Sequence, residues 1–340
     1  MANCHHLFQE YHGEVSIPKA KRDKMSGSKE GLRKRIRKHF KENHPEYEPK
    51  FHVQGSASPK MRTGIRTKDD ICDLDDGVYF LREPDVSATT LQTWVKDAVT
   101  GYTETDPEHR KKCIRNIFTK DYEIDLPAYY KVDGKQYQLA VKDVGWEDSD
   151  PKAMIDWFHK QKDKNGQLLK MVKYEKGWCD HTRNKMPSGL AMTILACNAK
   201  AKIVYNDRDD ITLRDTLKEI KKALDQKFEC VVPVVPGDDL FKDYDQTRKN
   251  NFMNALQNFI DDADAAIEEE DELKASKLWR KHLGNRFPLG KDNSEEQSRL
   301  ASLRSTAILI NTGKAYTDKT GNISANPTGV KNQEHRFHYE

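Results

Sequence analysis

Three aspartates carry the chemistry that this sequence offers most plainly. Asp73 and Asp75 lie in Cys72-Asp73-Leu74-Asp75-Asp76-Gly77-Val78-Tyr79-Phe80, and Asp125 lies in Tyr122-Glu123-Ile124-Asp125-Leu126-Pro127. The run from Asp73 to Leu81 reads as a strand, and alternate strand residues share a face, so Asp73 and Asp75 point the same way. Two carboxylates held side by side repel unless a cation lies between them. Hard oxygen donors of this kind suit Mg²⁺, which takes one or two carboxylates and completes its shell with water and substrate phosphates. Asp125 stands in an otherwise apolar strand, where a carboxylate is costly unless paired or metal-bound. It is the third candidate ligand. Asp76 faces the other way and is expected to be structural.

A partner for phosphates precedes these acids. Phe51 to Gln54 reads as a short strand, and Gly55-Ser56 as a sharp turn that opens a helix. Such a turn offers backbone N–H groups and a hydroxyl to phosphate oxygens. Later, Lys173 and Lys176 lie three apart on a helix expected from Leu168 to Asp180, and either could reach a phosphate. Pro187-Ser188-Gly189 then opens a hydrophobic helix from Leu190 to Ala199, with Pro and Ser where a helix N-terminus favours them.

These residues need two kinds of scaffold. From Lys29 to Asn43 a basic helix carries Leu32, Ile36 and Phe40 on one face, and the chain before it, up to Ser26-Gly27-Ser28, reads as polar and loosely ordered. Ser87 reads as the N-cap of a helix with the core stripe Leu91, Trp94, Val95, Ala98 and Val99. Cys113–Phe118, Tyr122–Tyr130 and Gln136–Val141 read as further strands, with Asp133-Gly134 as a hairpin turn. Past Pro151 the chain reads as helices, one of them capped by Thr212. The expected division is 1–150, a sheet-bearing half with the three aspartates, and 151–340, a helical half presenting Lys176 and Ser188.

Composition narrows the class. The chain has 340 residues, 33% of them charged, and a net charge of only +3. It is long enough for two lobes and a sizeable core. Local basic patches therefore matter more than the total charge. No stretch has the apolar length of a membrane span, and the first residues lack the apolar run of a signal peptide. Six cysteines with no CxxC pair point to a reducing cytosol. Cys4-His5-His6 and Cys179-Asp180-His181 lack a second ligand pair at zinc spacing. Gly313-Lys314 has only the end of a P-loop.

Together, Gln54-Gly55-Ser56, the Asp73-Leu-Asp75-Asp-Gly-Val-Tyr strand and Ile124-Asp125-Leu-Pro-Ala-Tyr resemble the signature of the DNA-polymerase-β-like nucleotidyltransferases. More closely they resemble the bacterial cGAS/DncV-like nucleotidyltransferases (CD-NTases), the cyclic-oligonucleotide synthases of CBASS anti-phage defence. The segment around Lys176-Gly177-Trp178, the Lys-Met-Pro-Ser188 run, and the segments Val232–Leu240 and Leu278–Pro288 extend the resemblance over most of the chain. It implies an α+β, bilobal fold: a polymerase-β-like nucleotidyltransferase core and an OAS-like helical C-terminal lobe, with the active site between them. It further implies two-metal catalysis with Mg²⁺, or Mn²⁺ in its place, at Asp73, Asp75 and Asp125. Donor phosphates would meet Gln54, Gly55 and Ser56 from one lobe and Lys176 or Lys173 with Ser188 from the other.

The product implied is a cyclic dinucleotide made from ATP, GTP or both. The alternatives are a cyclic trinucleotide, or transfer to RNA or a small acceptor. Implied partners are the nucleotide substrates, a downstream effector reached through the product, and regulatory CBASS proteins in a bacterial cytoplasm. No membrane partner is implied. Activation by nucleic acid is not expected, because the zinc-binding insertion of the animal DNA sensor is missing.

Overall fold

The computed structural model describes residues 1–119, 121–292 and 294–332. The last residues of the expected helical half, 333–340, lie outside the described residues. The architecture is a mixed sheet flanked by helices, followed by a helical lobe.

The centre of the sheet is β2 (Cys72–Phe80). Along one side it pairs antiparallel with β1 (Pro49–Gln54), in a register that sets Gln54 against Asp75 and Pro49 against Phe80. Along the other side lie two short parallel strands, β5 (Tyr122–Leu126) and β6 (Ala128–Tyr130). The sequence reads Tyr122–Tyr130 as one strand. The break falls at Pro127, which has no N–H to give to a ladder. Outward from β5 lie β4 (Ile114–Phe118) and β3 (Glu108–His109); outward from β6 lie β7 (Gln138–Val141) and β8 (Gly145–Asp148).

One face of this sheet is dry. Cys72, Leu74, Val78 and Phe80 pack there against Leu32, Ile36 and Phe40 of α2 (Lys19–Asn43) and Leu91 and Val95 of α3 (Ala88–Val99). Ser87 caps α3 by accepting a hydrogen bond from the Thr90 N–H at 3.0 Å. Trp94 stacks on His44 with centroids 3.7 Å apart, so this aromatic packs within the fold. Asp76 is also on this face and is fully buried, gripped by both ends of the Arg33 guanidinium, with Nε–Oδ2 at 2.6 Å. The basic side of α2 is therefore not simply a solvated face: Arg33 turns inward to neutralise a core carboxylate.

After Asp148 the chain turns helical: α4 (Pro151–Gln161), α5 (Gln167–Thr182), α6 (Gly189–Lys200), α7 (Asp209–Gln226), α8 (Gln246–Glu268) and α9 (Glu272–Leu283). Thr212 is inside α7 and buried, two residues past the acidic first turn Asp209-Asp210, so it is not the cap the sequence suggests. A last helix, α10 (Ser294–Asn311), precedes a small three-stranded sheet. No helix among the described residues is long and apolar enough to cross a membrane.

The N-terminus departs from expectation. Residues 5–15 form α1 (His5–Val15), and α2 starts at Lys19 rather than Lys29. The cause is an apolar stripe of Leu7, Phe8, Tyr11 and Val15, which buries in the core of the helical lobe. Phe8 meets the rings of Tyr174, Trp279 and Phe287 at centroid distances of 4.9–5.1 Å, and its backbone carbonyl accepts from the Tyr174 hydroxyl. Residues 2–15 thus precede the sheet in sequence yet pack with the helices.

Candidate active site

Strand alternation sends Asp73 and Asp75 to the sheet face opposite α2 and α3, and the ladder extends that line across neighbouring strands. Gln54 of β1, Asp75 of β2, Asp125 of β5 and Arg115 of β4 occupy successive paired positions in one row. Paired residues of adjacent strands share a face. Sequence distances of 10 to 71 residues collapse into one line of side chains.

At the end of β1 the chain turns through a short 3-10 helix, Gly55–Ala57, rather than opening an α-helix. Gly55 has φ +59°, a left-handed conformation. A Cβ there would lie 3.2 Å from the Asp75 Cγ and clash with its Oδ2. Glycine is needed twice over, for the backbone and for the close approach of the carboxylate. Gly55→Ala adds about 1–2 kcal/mol of left-handed strain and pushes Asp75 aside. Displacements of ~1 Å at a reacting centre can cost on the order of 10²-fold. Turnover is expected to fall at least about tenfold while circular dichroism stays native; unchanged turnover would show that the Asp75 position is not critical.

Facing the turn is the helical lobe. A cleft of about 510 Å³ is lined by Gly55, Ser56, Asp73 and Asp75 from one side and by Lys176, Arg183 and Pro187 from the other. The Lys176 ammonium donates to the carbonyl (3.2 Å) and hydroxyl (3.1 Å) of Thr63, both neutral groups. Its stem packs against Gly189, where a Cβ would lie 3.1 Å from its Cε. Ser188 caps α6, accepting from the Ala191 N–H at 3.2 Å. Its neighbours Pro187 and Gly189 line the cleft, so the positive end of α6 opens onto it.

The electrostatics fit a cation between acids. Burial, reinforced by the charges of Asp125 and Asp73, pushes the Asp75 carboxyl up to about 7, with Arg115 and Lys176 pulling the other way. Burial likewise pushes Lys176 down to about 8, although Asp75 favours its charge. Asp73 and Asp75 are therefore a donor set that fits Mg²⁺. Asp125 is differently engaged: Arg115 grips it through two hydrogen bonds of 2.7 Å and also reaches Glu123. Among the described residues, no three His, Cys, Asp or Glu side chains form a ready metal cage.

Four expected residues stand apart from the cleft lining: Asp125 and Ser188, already placed, and Gln54 and Lys173. Gln54 is buried, its Oε1 accepting from the Tyr79 hydroxyl (2.8 Å) and its Nε2 donating to the Tyr129 hydroxyl (2.9 Å). It braces the strand end that carries Gly55 and Ser56. Lys173 does not share the surface of Lys176: it donates to the Ser16 hydroxyl (2.8 Å) and lines a different cavity. Arg115 and Thr63, which hold Asp125 and Lys176, were missed in the sequence. For Arg115 the pairing register was the needed signal, and a strand assignment alone does not supply it.

Residues 49–129, which include all three aspartates and Arg115, match the family model of the cyclic GMP-AMP synthase DncV-like nucleotidyltransferase domain. The chain is 30% identical over 175 residues to a cyclic GMP-AMP synthase of Escherichia albertii, a match covering 46% of this chain and 39% of that one. It is 25% identical over 259 residues to a cyclic AMP-AMP-AMP synthase of an Acinetobacter species, covering 73% and 72%. The chain thus spans well under half of the first relative and nearly three quarters of the second. Its fold is that of the GTP-bound Vibrio cholerae DncV crystal structure, with a TM-score of 0.75 at 19% identity, over 84% of this chain and 96% of that one.

Proposed function

This chain carries a DncV-like nucleotidyltransferase domain, and from that premise we propose that it joins ATP, GTP or both into a cyclic dinucleotide. The observation that carries the reading is the single cleft in which Asp73 and Asp75 face Lys176 and the N-terminal end of α6. One side suits a divalent cation; the other suits a triphosphate.

The residues divide the work. The Gly55-Ser56 turn and the α6 N-terminus with Ser188 would present N–H and hydroxyl groups to the donor phosphates. Lys176, whose hydrogen-bond partners are neutral, has N–H groups and charge to turn to a phosphate. Asp73 and Asp75 would hold Mg²⁺, or Mn²⁺ in its place, with Asp125 joining them once Arg115 releases it. Bound there, the metal would acidify the acceptor hydroxyl and neutralise charge on the leaving pyrophosphate. No covalent nucleophile is needed, because such transfers depend on positioning and charge. In this reading residues 1–150 supply the acids and the phosphate turn, and 151–340 the opposing wall. The product would act in a bacterial cytoplasm as an anti-phage (CBASS) signal to a downstream effector, with regulatory proteins of that system as further partners.

Ring size is the second reading, because the two relatives are named for different products, a dinucleotide and a trinucleotide. The test is incubation with each radiolabelled NTP, singly and mixed, with Mg²⁺, followed by phosphatase and mass spectrometry. A phosphatase-resistant product of dinucleotide mass is expected. A resistant product of trinucleotide mass would replace it with the larger ring. Products that remain phosphatase-sensitive in every mixture would refute cyclisation.

A further inference from the structure

Between α5 and α6 the chain makes an irregular turn, and the first residue of that turn, Arg183, lines the same cleft as Lys176, Asp73, Asp75 and Ser56. Its backbone has φ +57° and ψ −63°, and the Asn184 N–H donates to the Thr182 carbonyl across it at 2.8 Å. This is a γ-turn of the rare, strained hand. Lys185 follows with φ +54°. Two such outliers in one turn persist only where other contacts impose them. Arg248 of α8 supplies them, donating to the Lys185 carbonyl at 2.9 Å and to the Met186 carbonyl at 3.4 Å. The Met186 side chain is buried in the core of the helical lobe. The turn is fixed, and it fixes where the arginine stands. Strain of this kind collects at ligand clamps.

Its present partners are easily exchanged. The guanidinium donates to the Asp69 carboxylate, on the loop that leads into β2, and to the carboxylate (3.3 Å) and carbonyl (3.2 Å) of Asp180. The Arg183 and Asp69 side chains are both about half exposed. An ion pair between exposed groups contributes little and is screened by salt. Asp180 has a second partner, the Lys68 backbone N–H, so losing Arg183 would not leave it bare. Position sets Arg183 apart from Lys176. The Lys176 charge acts on Asp75, so it stands beside the acids that fit a metal. Arg183 is seven residues further along, just past the end of α5, about 10 Å away by helical rise. It faces the part of a ligand that lies farther from those acids. A guanidinium also offers paired N–H donors that match two phosphate oxygens, where an ammonium offers a point charge.

We propose that Arg183 is a further phosphate-binding residue, which gives up Asp69 to grip the terminal phosphate of the donor nucleotide. The proposal rests on the reading of the cleft as a nucleotide site. Asp69 belongs to the sheet-bearing half and Arg183 to the helical half, so the exchange replaces a direct tie between the lobes with one that runs through the ligand. The terminal phosphate departs within pyrophosphate, so Arg183 holds the leaving group and forms no bond in the transfer. The contact also distinguishes a triphosphate from a diphosphate, which ends one phosphate short of it.

Calorimetric titration with α,β-methylene ATP and α,β-methylene ADP, in the presence of Mg²⁺, tests this without turnover. The parent is expected to prefer the triphosphate. Arg183→Gln should weaken triphosphate binding roughly tenfold, the worth of a hydrogen bond to a charged group, and leave diphosphate binding nearly unchanged. Arg183→Lys, which keeps the charge without the fork, should fall between. Asp69→Asn frees the guanidinium and should tighten triphosphate binding, but only while Arg183 is present, because the two effects are coupled. With turning-over NTPs, Arg183→Gln should raise KM and leave kcat close to that of the parent. Equal losses for triphosphate and diphosphate, or no loss for either, would overturn the proposal and leave the reading of the cleft intact. So would an Asp69→Asn effect that is the same with and without Arg183. A parent protein that binds neither nucleotide would overturn the reading of the cleft, and this inference with it.

Discussion

Asn at both position 73 and position 75 is expected to abolish nucleotidyl transfer and at the same time make the metal-free protein more resistant to heat. The loss follows from removing both cleft carboxylates that fit a divalent cation. Charge stabilisation by a bound metal supplies several kcal/mol, and ~4 kcal/mol corresponds to roughly a 10³-fold loss of rate. The gain follows from the strain among the acids. The Asp75 carboxyl is pushed up to about 7 by burial and by Asp125 and Asp73. A free carboxyl titrates near 4, so the folded state binds this proton more tightly than the unfolded chain does. Stability linked to Asp75 is therefore fully present below about pH 4 and is lost as pH rises to about 7.

Between those limits the penalty amounts to a few kcal/mol, and the double variant should escape it. Scanning calorimetry of the metal-free proteins at pH 5 and pH 7.5 reads this directly. The difference in melting temperature between variant and parent should be larger at pH 7.5 than at pH 5. A variant that unfolds at lower temperature than the parent at both pH values would make these acids part of the structural framework.

Removing the Arg33 side chain should be the most destabilising change on the opposite face. Asp76 is fully buried, and the Arg33 guanidinium is its partner through two hydrogen bonds. Breaking a buried pair by deleting one partner typically costs about 3–5 kcal/mol. Burial already raises the Asp76 carboxyl despite the guanidinium beside it. Arg33→Ala is expected to lower the melting temperature by roughly 10 °C, at ~2–4 °C per kcal/mol for a chain this large. A second change, Asp76→Leu, should recover much of that loss, since apolar replacements for buried ion pairs are often neutral. If the single and double variants melt alike, the pair is not what holds this part of the sheet. Activity should respond less than stability, because Asp76 faces away from the cleft.

Much of this was legible in the sequence, and the reasons are local. Period-2 alternation placed Asp73 and Asp75 on one face, and the Gly-Ser turn announced itself by residue type. Ser87 and Ser188 are caps because side-chain capping depends on only three or four consecutive residues. What escaped was set by long-range packing. Residues 2–15 looked loose because their six core residues sit among many polar ones, and the partners of Phe8 are residues 174, 279 and 287. Lys173 and Lys176 looked equivalent on a helical wheel. They diverge because one side of α5 meets Thr63 and the other meets Ser16. Arg115 acquires its meaning only from a strand register that no single segment specifies.

The placement of α1 also bears on how the two halves can move. The backbone leaves the helical lobe for the sheet at residues 16–18 and returns at residues 149–150, so two separate covalent crossings join them. A body tethered at one point can swing in any direction, whereas two tethers leave mainly rotation about the line joining them. Any opening of the cleft would therefore turn on two segments, Ser16-Ile17-Pro18 and Ser149-Asp150. The first segment borders the cavity that Lys173 lines, where Ser16 and Ile17 form part of the wall, so it is packed on one side only.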